Sequence, residues 1–147
     1  MEKRPFGKTD MHVSVLGFGG AEIGFEGAPA DVVGRLLADA LDAGLNVIDT
    51  AECYVNSEEL IGQAASGRRK DYYLFSKCGH PGGMETEDWS KAGLLQSIQR
   101  SLKRLRTDRL DLMQLHSCSL DTLKKGEVIE ALEEARRRGY TRYIGYS

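Results

Sequence analysis

Four side chains that can exchange protons or carry charge, Asp49, Tyr54, Lys77 and His116, follow short apolar runs in this chain. Val47 and Ile48 precede Asp49, Leu74 and Phe75 lie just ahead of Lys77, and Leu112 to Leu115 leads into His116. An ammonium beside a phenol favours the phenolate and eases proton exchange. A carboxylate holds that ammonium in place, while an imidazole donates a hydrogen bond to a carbonyl oxygen or relays a proton. Singly, each residue has a plainer use. Asp49 can cap the loop or the next helix, Tyr54 can pack, Lys77 can be a solvated charge and His116 a hydrogen-bonded structural histidine. Their joint placement on loops after strands is what points to chemistry.

The elements that must position them follow from periodicity and punctuation. A hairpin is expected over residues 4–14, with strands 4–6 and 12–14 around the turn Gly7-Lys8-Thr9-Asp10. Buried strands are expected at 13–18, 46–49, 72–76, 110–115 and 142–146, the first closed by Gly19-Gly20 and a glycine-rich loop to Gly27. Helices are expected at 30–43, through Val33, Leu36, Leu37, Ala40 and Leu41, with Asp31 as start and Gly44 as stop. A second helix, 57–65, has Asn56 or Ser57 as cap and acid at Glu58 and Glu59; a third starts at Ser90 and carries Leu94, Ile98 and Leu102; a fourth, 127–138, stops at Gly139.

Strands alternating with helices mean a parallel α/β sheet with right-handed crossovers, either open and doubly wound or a (β/α) TIM-type barrel. After Gly17-x-Gly19 the dinucleotide pattern needs glycine at 22, where Glu22 stands, so the barrel is favoured. In a barrel the strand ends face one rim, where active sites are built, and Gly20, Asp49, Tyr54, Lys77, His116 and Ser147 all fall there.

Composition narrows the partners. Twenty Lys plus Arg against 22 Asp plus Glu give a net charge of -2, no basis for binding nucleic acid or an anionic membrane. The clusters Arg68-Arg69-Lys70 and Arg136-Arg137-Arg138 sit at helix C-terminal ends and are expected to be solvated. Three cysteines without framework spacing, no membrane-length apolar run and no export signal lead to the expectation of a soluble cytoplasmic protein.

Across its whole length the chain resembles the N-terminal part of an aldo-keto reductase. The resemblance lies in Phe6-Gly7-Lys8-Thr9, Val15-Leu16-Gly17-Phe18-Gly19, Asp49-Thr50-Ala51 with Tyr54, Ser57-Glu58, Ser76-Lys77, Ser101 to Leu105, Gln114-Leu115-His116 and Arg142 to Gly145. It implies NADPH-dependent reduction of an aldehyde or ketone to an alcohol. Tyr54 would be the general acid, Lys77 and Asp49 would tune it, and His116 would place the substrate carbonyl. Gly20 and Ala21 would border the nicotinamide of NADP, with Asp49 and Ser147 among the cofactor contacts. A full barrel of this kind takes about 250 residues, so these 147 residues are expected to form one partial-barrel domain, the hairpin plus about four and a half β/α units. The later strands, and with them the grip on the adenosine phosphate, are expected to be absent, and the chain to self-associate or to lack a C-terminal half. Two rival readings are a noncatalytic reductase-like binding module and a soft-metal site built from Cys53, Cys78, His80, His116 and Cys118.

Overall fold

The computed structural model describes residues 1–147 throughout. Strands β1 (Lys3–Pro5) and β2 (His12–Ser14) form an antiparallel hairpin. The second sheet runs β3 (Phe18–Gly19), β4 (Val47–Asp49), β5 (Tyr73–Cys78), β6 (Leu110–Leu115) and β7 (Thr141–Tyr146), all neighbours parallel and in chain order. That order decides between the two α/β architectures, because a doubly wound sheet reverses its strand order at a switch point and a barrel does not. The fold is part of a (β/α) barrel, with β3 and β7 as the edges of its sheet.

The connections are helical. They comprise α1 (Ala21–Phe25) and α2 (Ala30–Asp42) before β4, α3 (Ser57–Ala65) and a 3-10 segment (Ser66–Asp71) before β5, and α4 (Lys91–Arg104) before β6. Two more, α5 (Leu120–Lys124) and α6 (Glu127–Arg137), precede β7. Val33, Leu37 and Leu41 of α2, Ile61 of α3, Leu94 and Ile98 of α4 and Val128 and Leu132 of α6 pack against Ile48, Leu74, Met113 and Leu115. Burying each such side chain contributes about 1.5–3 kcal/mol.

Side chains alternate across a strand, so the opposite face of the sheet carries Phe75 and Leu112, which close on Met11 of the hairpin. The same alternation along β5 puts Ser76 and Cys78 under the helices and Lys77 on the inner face. The hairpin is a floor. Ser14 and Asn46 exchange hydrogen bonds of 2.6 and 2.9 Å, and Arg142 bridges Asp10 at 2.6 Å and Asp111 at 3.0 Å. Asp111, 7 % exposed in its side chain, also accepts from Arg69 at 2.7 Å and from the Leu74 amide at 2.9 Å.

Several expectations shift in detail. The first buried strand does not run 13–18: residues up to Ser14 pair in the hairpin, Val15 and Leu16 are exposed, and only Phe18–Gly19 joins β4. Apolar composition cannot say which partner strand takes the backbone hydrogen bonds. The strand expected to end at Ser76 continues to Cys78, because Lys77 and Cys78 pair with Gln114 and Leu115. Leu36 lies off the buried stripe of α2 and is exposed. Ser90 caps α4 through the Gly93 amide, as expected, whereas Asn56 heads α3 without a side-chain cap and Ser57 instead bonds Thr50. Of the basic cluster after α3, Arg69 is not simply solvated but tied to Asp111 and to the carbonyls of Tyr72 and Arg109. Helices α1 and α5 were not expected at all; both are single turns or little more, too short for a period to show.

Candidate functional site

The C-terminal ends of β4, β5 and β6 bring Asp49, Tyr54, Lys77 and His116 to one mouth. Lys77 is the anchor. Its side chain is 6 % exposed, and its Nζ donates to Asp49 Oδ2 at 2.7 Å and to the Thr50 carbonyl at 2.8 Å. A buried ammonium without such partners carries a penalty of several kcal/mol, so Lys77 and the loop after β4 hold each other. The ammonium also lies over the Tyr54 ring, 5.2 Å from its centroid. It faces the ring, while its hydrogen bonds go to Asp49 and Thr50. Asp49 remains 39 % exposed, its Oδ1 met only by a long 3.5 Å contact from Gln114.

Tyr54 is set by its neighbours on three sides. Phe25 at the end of α1 packs at 5.6 Å, His116 makes an edge contact at 5.7 Å, and the Lys77 ammonium lies over the ring. Gly24 lies so close that a Cβ there would sit 2.1 Å from the Tyr54 carbonyl oxygen. Val55, next in the chain, takes φ 50 and is 62 % exposed. A β-branched residue in the left-handed region is strained, and here the strain borders Tyr54.

The loop between Asp49 and Tyr54 is clamped from beneath by Glu52, a residue to which the sequence assigns no part. Its carboxylate, fully buried, accepts from the Gly79 and His80 amides at 2.8 and 3.0 Å and from Arg100 at 3.1 Å. Glu58, also buried, bonds Ser76 at 2.7 Å and Arg104 at 3.4 Å; burial raises its pKa, opposed by those partners. Buried carboxylates with amide and guanidinium partners are what a rigid loop needs, but partners this far apart in sequence leave no local pattern.

His116 is held by its backbone, its amide donating to the Cys78 carbonyl at 3.0 Å and its carbonyl accepting from His80 Nε2 at 2.8 Å. Its ring Nδ1 is 3.3 Å from the Cys53 thiol. Burial, then the Lys77 charge, pull its pKa below the ordinary imidazole value. His80 turns both ring nitrogens to carbonyl oxygens, those of Thr86 and His116.

Of the expected cofactor contacts, Gly20 is buried, donates its amide to the Asp49 carbonyl at 2.8 Å and abuts Ser57 and Thr50; Ala21 opens α1 beside it. Ser147 extends from β7, its amide bonded to the Leu115 carbonyl and its carbonyl to the Ser117 amide, next to His116. The half-exposed Asp49 carboxylate, the Gln114 amide and the exposed Ser147 suit a ligand with an amide and sugar hydroxyls.

The soft-metal grouping does not assemble. Cys78 is fully buried among the helices with its thiol on the Gln114 carbonyl, and both His80 nitrogens are occupied. No group of three or more His, Cys, Asp or Glu side chains is placed to hold a metal ion. A groove of about 400 Å³ between α3 and α4 lies away from the mouth. Its guanidinium groups from Arg100 and Arg104 are turned to Glu52, Glu58 and Glu59. No helix is long and apolar enough to cross a membrane.

Comparison with known proteins bears on the fold and the family. A profile of the Aldo/keto reductase family matches residues 15–147. The uncharacterized oxidoreductase YqkF of Bacillus subtilis (strain 168) is 37 % identical over 153 residues, covering 100 % of this chain and 49 % of that protein. An aldo-keto reductase from Bacillus halodurans, in its holo form, superposes with a TM-score of 0.89 at 39 % identity, over 100 % of this chain and 50 % of that one. An aldo-keto reductase from Klebsiella pneumoniae in complex with NADPH gives 0.83 at 33 % identity, over 99 % of this chain and 49 % of that one. The chain thus spans about half the length of the curated relatives it matches.

Proposed function

The chain belongs to the aldo/keto reductase family, and from that premise we propose that it carries the proton-transfer half of a site that reduces an aldehyde or ketone to an alcohol with NADPH. The observation that carries the reading is the Tyr54 ring held against the locked Lys77–Asp49 pair, with His116 edge-on beside it. The nicotinamide, when bound, supplies the hydride to the carbonyl carbon. Every other task falls to side chains of this chain.

Tyr54 gives its hydroxyl proton to the carbonyl oxygen as that oxygen gains negative charge. The resulting phenolate is met by the Lys77 ammonium, whose position is fixed before reaction by Asp49 and the Thr50 carbonyl; such pre-set charge is the larger part of what a site of this kind contributes. His116, kept neutral by burial and by Lys77, donates a hydrogen bond to the same oxygen and so orients the carbonyl. Gly20, Ala21, Asp49 and Ser147 receive the nicotinamide end of the cofactor. The choice of NADPH draws support from the Klebsiella pneumoniae relative solved with that nucleotide, and the polar, half-exposed Asp49 and Gln114 are suited to its amide and ribose.

The test is turnover of an aromatic aldehyde with NADPH, followed by loss of nicotinamide absorbance. Tyr54→Phe is expected to abolish it while leaving NADPH affinity within a few-fold, because the phenyl ring keeps the same packing. Binding of NADPH without turnover of any aldehyde or ketone would favour the noncatalytic binding module. A Tyr54→Phe protein that reduces aldehydes at the original rate would remove Tyr54 from the mechanism.

A further inference from the structure

The imidazole of His116 has one side-chain hydrogen-bond partner in the protein, and it is unusual. Nδ1 lies 3.3 Å from Sγ of Cys53, and that sulfur lies 3.4 Å from Sδ of Met84. Cys53 and His116 are 5 % and 8 % exposed, so water does not readily substitute for either contact. A neutral imidazole has one N–H and one bare nitrogen, and a thiol has a single proton. Two arrangements therefore compete. In one, the thiol donates to Nδ1 and the imidazole proton resides on Nε2. In the other, Nδ1 donates to the sulfur and the thiol donates onward to Met84. A bare imidazole nitrogen is a far better acceptor than thiol or thioether sulfur, which favours the first.

We propose that Cys53 is a positioning residue: its thiol donates to Nδ1 of His116 and holds the imidazole in the tautomer whose N–H is on Nε2, free to donate to a substrate carbonyl oxygen. The inference rests on the carbonyl-orienting role read for His116 above and names what sets it. Two further features agree. Burial pushes the Cys53 thiol up to about 11, so it keeps the proton it must donate, and the imidazole is held neutral by burial and the Lys77 charge. The His116 backbone is pinned at both its amide and its carbonyl, which leaves ring rotation and tautomer as the freedoms for Cys53 to remove. A second ligand tie of this kind, the group behind a functional histidine, fixes which nitrogen carries the proton.

The tautomer is readable without turnover. In ligand-free protein labelled with 15N at histidine, near neutral pH, His116 Nδ1 is expected to be pyridine-like and Nε2 pyrrole-like. Cys53→Ser, which keeps a donor, should preserve that signature; Cys53→Ala should move it toward a mixture. In aldehyde reduction, Cys53→Ala is expected to lower kcat roughly tenfold, the worth of about one hydrogen bond, with NADPH affinity unchanged and with recovery in Cys53→Ser to within about threefold. A proton found on Nδ1 in the unaltered protein overturns the inference, and so does an identical signature in Cys53→Ala. If that variant does not fold, the spectra of the unaltered protein and of Cys53→Ser still decide. The expected spectra in a protein that reduces no carbonyl would uphold the tautomer assignment and overturn the reductase reading instead.

Discussion

The same substitution, glycine to alanine, is expected to have opposite effects in two helices of this chain. In α1, a Cβ on Gly24 would meet the Tyr54 carbonyl oxygen at 2.1 Å and its carbon at 2.9 Å. Both are backbone atoms and cannot swing aside, and Tyr54 is already braced by Phe25 and His116. Ordinary contact requires α1 and the loop to part by roughly 1 Å, which costs about 1–3 kcal/mol as overpacking. The parting occurs at the backbone of Tyr54, and an error of about 1 Å in a reacting group lowers the rate on the order of 100-fold. In α2, a Cβ on Gly34 meets nothing within 4 Å, and alanine there should raise stability by about 0.5–1 kcal/mol through the lower entropy of the unfolded chain. Urea denaturation followed by circular dichroism measures both stabilities, and steady-state reduction of an aromatic aldehyde with NADPH measures the site. Gly24→Ala should unfold at lower urea with a reduced kcat, Gly34→Ala at higher urea with an unchanged one. A Gly24→Ala protein as stable and active as its parent would refute the reasoning that α1 sets the position of Tyr54.

Val55→Gly removes a β-branched residue from φ 50 at an exposed site; relief of about 1–2 kcal/mol exceeds the entropy cost of glycine, so a melting temperature a few degrees higher is expected, and a lower one would show that Val55 is not strained. With its pKa pushed to about 11 from 9.0 by burial, the Cys53 thiol should react with iodoacetamide at pH 8 at least about 100-fold more slowly than free cysteine; peptide mapping by mass spectrometry reads the difference. His116, whose folded pKa lies below its unfolded value, binds a proton more readily when unfolded, so its contribution to stability is present above the ordinary imidazole value and is lost as pH falls through the folded one. The acid limb of the kcat profile should accordingly fall below about 6.5, and a limb above that value would contradict a neutral His116. Asp111→Asn removes the buried carboxylate shared by Arg69 and Arg142, which keep their bonds to the Tyr72 and Arg109 carbonyls and to Asp10, a change expected to remove about 1–3 kcal/mol in the same urea measurement.

Local rules carried far in this chain. Continuous apolar and β-branched runs located four of the five parallel strands, though not the short β3, and the loop after Val47-Ile48 was legible as the place for chemistry, because buried strands must end before polar side chains can meet solvent. The four titratable residues could be named from their positions after such runs, and the family likeness from the motifs around them. What lay beyond reach depends on partners far apart in the chain. Cys53 and His116 are 63 residues apart, and Glu52 and Arg100 are 48 apart; no spacing along the sequence marks either pair. Nor could the residues alone say that the Lys77 ammonium would face the Tyr54 ring while bonding Asp49 and Thr50, or that α1 would press Gly24 against the Tyr54 carbonyl. Periodicity reports which face of an element is apolar. Only the parallel packing of β4, β5 and β6, with the hairpin beneath and the helices on one side, determines which polar groups are close enough to exchange a proton.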